Sequence, residues 1–143
     1  MILRYVNKEF TIQINETLQP YIQCLSTANL TDEEKNIFTE ATNLIVKSEE
    51  LENLRRKRLI FIFSATADMH LTFNSGQYGS HFCLASIIYS HWTNFSNKEK
   101  LICIVEELVH HFWDEDDELE VSRIVCTLID ELDYNPETGA YKY

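Results

Sequence analysis

The stretch that decides the fold is residues 96–118, SNKEKLICIVEELVHHFWDEDDE. Ser96 followed three residues later by Glu99 is a capping box, in which each side chain satisfies the other's free backbone N–H at a helix start. At about 100° per residue, Leu101, Ile104, Val105, Leu108, Val109 and Phe112 share a broad apolar arc, with Ile102 and Trp113 at its edge. Cys103, Glu106, Glu107 and His110 gather on the opposite arc, with His111 beyond them. The pattern predicts a helix over 97–113 with one side in the core. Residues four apart project side by side, so Glu106 with His110, and Glu107 with His111, can each converge on one point.

Working outward, Thr31 and Glu34 form a second capping box. The helix it opens is predicted to run to about Leu54, with Ile37, Phe38, Ala41, Leu44, Ile45 and Leu51 as its apolar stripe. Arg55, Arg56, Lys57 and Arg58 would then lie near its C-terminal end, where cations complement the helix dipole. Leu59–Phe63 is a continuous apolar run and reads as a central strand. Leu71–Phe73 and Phe82–Tyr89 read as further strands, and Ile2–Val6 and Phe10–Ile14 as short β-prone runs. A last helix is expected over about 119–133, closed by Asn135-Pro136-Glu137-Thr138-Gly139. Strands and helices do not alternate regularly in this reading. It gives an α+β fold: a small mixed or antiparallel sheet with a long N-terminal helix, the 97–113 helix and a C-terminal helix. The sequence holds no repeat, linker or low-complexity tract, which points to a single domain over 1–143.

The 143 residues, 45% of them hydrophobic, suffice for a core without staples. Cys24, Cys83, Cys103 and Cys126 form no CxxC pair, so free thiols are expected in place of a zinc knuckle. The N-terminus lacks the basic leader and apolar run of a signal peptide, and no apolar stretch approaches a bilayer span. A cytoplasmic setting without membrane attachment is the expectation. The formal charge of −11 is concentrated: residues 99–143 hold thirteen Asp/Glu against Lys100, Arg123 and Lys142. A field of that sign repels phosphate backbones and argues against direct nucleic-acid binding. It suits cations or basic protein surfaces. Neither a GxSxG elbow nor a P-loop is present, and Asp114–Glu120 lacks the glycine of an EF-hand loop.

Glu106-Glu107-x-x-His110 resembles the HExxH frame of zincin metallopeptidases, with Glu in place of the first His. From about Leu59 onward the predicted order is similar to zincin-like folds: strands, an antiparallel strand leading into the active helix, then a C-terminal helix. More narrowly, CIVEELVHHFWDEDD resembles bacterial zincin-like proteins of unknown function whose helix reads C-x-x-E-E-L-x-Q before an Asn-Asp pair. Cys103, Glu106, Glu107 and Leu108 match, while His110 takes the Gln position and Asp116-Asp117 that of Asn-Asp. Tyr134-Asn135-Pro136 stands where that group has Tyr-Asp-Pro. Trp113 departs from the pattern by replacing a helix-ending Gly.

The resemblance implies Glu107 as general base and Glu106 and His110 as ligands of a Zn²⁺ ion, with a peptide or protein substrate lying along the strand near 82–89. It implies a fold more strongly than a reaction. The third ligand is open among Asp114, Glu115, Asp116, Asp117, Glu118 and Glu120, with Asp117 the first choice and His70, His81 and His91 as alternatives from the strand region. A different class of function also fits. Asp114, Glu115, Asp116, Asp117 and Glu118 could form an acidic surface of a non-enzymatic inhibitor, docking onto a basic, nucleic-acid-handling partner.

Overall fold

The computed structural model describes residues 6, 9–48, 50, 52, 54, 57–70 and 83–143. The elements are β1 (Ile22–Ser26), α1 (Asp32–Val46), β2 (Leu59–Ser64), β3 (Cys83–Ile88), α2 (Tyr89–Trp92), α3 (Asn97–Phe112), α4 (Glu118–Leu128), β4 (Asp133–Tyr134) and β5 (Tyr141–Lys142). This is the expected α+β content. Strand pairing departs from expectation. β1, β2 and β3 form one parallel sheet with β2 central, pairing Ile22 with Leu59 and Leu59 with Cys83. The antiparallel component is a separate ribbon in which Asp133 pairs with Lys142 and Tyr134 with Tyr141. The strand leading toward α3 is therefore parallel to its neighbour, where the resemblance implies an antiparallel one. The connection between β2 and β3, residues 65–82, exceeds the dozen or so residues that a parallel crossover requires, so length allows the chain to return to the same end.

β1 is absent from the sequence reading. Its five residues IQCLS alternate weakly and follow Pro20, so only pairing with β2 defines them as a strand. The segment 10–14, expected as a strand, has no regular structure and runs along α1, where Thr39 Oγ1–H donates to the Gln13 carbonyl at 2.7 Å. Leu71–Phe73 and Ile2–Tyr5 of the first β-prone run lie outside the described residues. Both capping boxes form, at Thr31/Glu34 and Ser96/Glu99. α1 ends at Val46 and not near Leu54, so the basic cluster is not in its last turn. Fifteen helical residues cover about 22 Å, already the reach of a strand of five or six residues at about 17–20 Å.

β2 is buried along nearly its whole length. Phe38 of α1 meets Phe61 and Phe63 edge-on, with ring centroids 5.1 and 5.8 Å apart, and Trp92 packs against Phe63 at 5.2 Å. α1 lies against α3, and α3 against α4. The anticipated apolar arc of α3 is buried throughout.

Glu34 joins these layers. It is 2% exposed and accepts from the Thr31 N–H at 3.0 Å, Tyr89 Oη–H at 2.8 Å and Thr93 Oγ1–H at 2.9 Å, with Lys100 Nζ at 3.1 Å. A helix-capping carboxylate thus also ties α1 to α2 and α3. Among the described residues no helix is long and apolar enough to cross a membrane.

Candidate metal site

The end of α3 builds the site. Trp113 caps the helix in right-handed geometry and Asp114 turns into the left-handed region at φ 52°. The Glu115 N–H reaches the His110 carbonyl at 3.2 Å and the Asp114 N–H the His111 carbonyl at 3.3 Å. This is a Schellman motif with Asp where Gly is usual, a position that Asp tolerates better than most residues. The expected helix stop is therefore made without glycine.

The same turn orients the imidazole. His110 Nδ1 lies 2.6 Å from the Glu115 carbonyl oxygen, and a carbonyl only accepts, so Nδ1 carries the proton. In the neutral ring Nε2 is left with its lone pair. That atom faces Glu118 Oε1 at 3.5 Å. Glu106, one turn back on α3, completes a group of three in which ligand atoms of Glu106, His110 and Glu118 all lie within 4.8 Å of one another. Tetrahedral zinc with bonds of about 2.0–2.2 Å holds its ligand atoms roughly 3.3–3.6 Å apart. The 4.8 Å bound is wider than that, and the donor set, two carboxylates and an imidazole, is of a kind that could hold a metal ion.

The electrostatics favour a cation. Burial pushes the Glu106 carboxyl above the usual range; the Tyr141 hydroxyl opposes this, and the charges of Glu118 and Glu107 add to it. Burial likewise raises Glu107, which His110 partly offsets. For His110, burial favours the neutral ring, but the Glu115 carbonyl and the carboxylates of Glu118, Glu107 and Glu106 outweigh it and raise its pKa. Three carboxylates crowd one imidazole. Cys103, on the same side of α3, has its thiol pushed up to about 11 by burial and by the charges of Glu106, Glu107 and Glu99.

Of the expected site residues, the structure brings Glu106 and His110 together and places Glu107 half-buried beside them. Asp117 does not join them. Its Oδ1 accepts from the Leu119 and Glu120 N–H groups at 2.9 and 3.2 Å, making it the N-cap of α4. The residue after it, Glu118, supplies the third carboxylate and is 70% exposed. Asp117 followed by Glu120 has the spacing of a capping box, a signal that would have assigned Asp117 to the cap. Glu120 pairs with Arg123, and Asp114 and Asp116 are exposed. His111 does not pair with Glu107; it is buried, and its Nε2–H donates to the Lys57 carbonyl at 2.8 Å. His70 and His91 are exposed and stand apart from the cluster, and His81 lies outside the described residues.

All four cysteines are free. One contact has no signal in the sequence: the Tyr141 hydroxyl donates to Glu106 Oε2 at 3.2 Å across 35 positions of chain.

No protein-family model matches the chain, and neither the curated proteins nor the solved structures contain a match.

Proposed function

We propose that this protein is a zincin-like domain of metallopeptidase type that binds one Zn²⁺ through Glu106, His110 and Glu118, with Glu107 as general base. The observation carrying this reading is the fixed tautomer of His110: the Glu115 carbonyl holds Nδ1–H, so Nε2 is presented to two carboxylates. Metal-ligating histidines are commonly held this way, the second nitrogen donating to a carbonyl or carboxylate. Zinc held there would supply Lewis acidity toward a peptide carbonyl. The chain's own residues do the rest. Glu106 and Glu118 balance the ion's charge. Glu107, whose carboxyl burial raises above its ordinary range, can accept a proton at its carboxylate and return it.

Protein purified without chelator is expected to carry close to one zinc per chain, and His110→Gln to lose it. Glu107→Gln is expected to keep the metal and abolish peptide hydrolysis. Absence of zinc from the wild type would sink the reading. Zinc without hydrolysis would identify a catalytically degenerate relative.

A second reading rests on the exposure of Asp114, Asp116, Asp117 and Glu118 along one turn. These carboxylates suit a basic face of a nucleic-acid-handling protein. In that case reversing their charges abolishes partner binding with a steep salt dependence, and Glu107→Gln has no effect.

A further inference from the structure

The β4–β5 ribbon touches both helices that carry the proposed ligands. Its turn presses on the start of α4. Gly139 has φ +77°, and a Cβ there would stand 3.2 Å from Ser122 Oγ, 3.4 Å from a Leu119 methyl carbon and 3.7 Å from the Glu118 carbonyl oxygen. Ser122 Oγ–H donates to the Gly139 carbonyl at 2.9 Å. Two residues on, half-buried Tyr141 reaches α3 and donates to Glu106 Oε2 at 3.2 Å. Tyr143 then donates to Glu99 Oε1 at 2.9 Å and lies under Lys98 Nζ at 5.1 Å. β5 thus runs alongside α3 in the opposite direction, one tyrosine at each end of the contact.

From this arrangement we infer that Tyr141 is a positioning residue for Glu106, and that the β4–β5 ribbon is part of the cation site, so that ion binding and ribbon docking strengthen each other. The inference rests on the proposed zinc site. A carboxylate has about four lone-pair directions. Tyr141 occupies one and restricts rotation of the group, leaving the others for an ion. Such outer donors typically contribute about 10–100-fold to metal affinity. The coupling is reciprocal: whatever factor the docked ribbon adds to zinc affinity, zinc must add to docking. Gly139 strengthens the case because it seats the turn on the residues at and beside Glu118, so the ribbon spans the gap between ligands on two elements.

The test uses the full chain with zinc as the probe. Competitive titration is expected to show Tyr141→Phe binding zinc about 10–100-fold more weakly than wild type. Gly139→Ala keeps the hydroxyl but unseats the turn, and is expected to weaken binding in the same direction. Amide hydrogen exchange over residues 133–143 is expected to slow when zinc is added to the wild type, and to stay unchanged in zinc-saturated Tyr141→Phe. A merely structural tyrosine would alter exchange equally with and without the ion. Unchanged zinc affinity in both variants, or wild-type exchange that ignores zinc, overturns the inference while leaving the zinc site standing. A wild type that binds no zinc overturns both.

Discussion

Glu34 is a buried charge held by partners from α2, α3 and two helix caps. Burial alone would raise its pKa, but the Thr31 N–H, Tyr89, Thr93 and Lys100 together outweigh burial and hold it below its ordinary 4.5. Removing one partner of such a buried pair leaves the other uncompensated, so Glu34→Ala is expected to cost about 3–5 kcal/mol in equilibrium unfolding. Glu34→Leu with Lys100→Met removes the unpaired charge but leaves the Thr31 N–H, Tyr89 and Thr93 donors without their acceptor, so it is expected to recover only part of that loss. The pH dependence has a definite sign. A carboxylate depressed in the folded state stabilises above its unfolded pKa, and that contribution is lost as pH falls through the folded value. The stability gap between wild type and Glu34→Gln should therefore narrow as pH drops below 4.5. A gap that widens in acid would contradict the network described here.

Helix ends, more than helix interiors, place the groups of the candidate site. The Schellman turn after α3 commits His110, and the N-cap of α4 fixes where Glu118 begins. Adjacent acidic residues then have opposite roles that mutation can separate. Asp117→Ala removes a cap and is expected to cost about 1 kcal/mol of stability, with a smaller loss of zinc affinity than removal of the Glu118 carboxylate. Glu118→Gln is expected to do the reverse, with little change in unfolding free energy and a loss of zinc binding in titration. If Glu118→Gln keeps wild-type zinc affinity with its fold intact, the ligand assignment is wrong. On the buried side of α3, Leu108 is fully enclosed, and Leu108→Ala is expected to cost about 2–5 kcal/mol by denaturant titration.

For the molecule as a whole, charge is the main global stress. A formal charge of −11 on 143 residues, concentrated after residue 98, repels itself in the compact state. Simple salt screens this, so the thermal midpoint of the metal-free protein should rise between low and high NaCl. Each kcal/mol relieved corresponds to about 2–4 °C for a chain of this size. A midpoint that falls with salt would show attractive pairs such as Glu120–Arg123 dominating instead.

What the sequence determined by itself was what depends on neighbours a few residues apart. Thr31 with Glu34, Ser96 with Glu99, the apolar arc of α3 and the buried run of β2 are all local patterns. Each is decided by backbone satisfaction or burial within one element. The pairing of Glu106 with His110 was legible for the same reason, since four residues on a helix fix it. What only the tertiary structure decided involves residues brought together from afar. β1 exists because β2 lies beside it, and α1 stops at Val46 although the apolar stripe continues in sequence toward Leu51. Glu34 meets Lys100, and Tyr141 meets Glu106, across stretches of chain whose closure no local pattern encodes. Glu118 rather than Asp117 faces His110 because a cap and a left-handed turn aim it there, and both act through backbone atoms that side-chain spacing does not reveal.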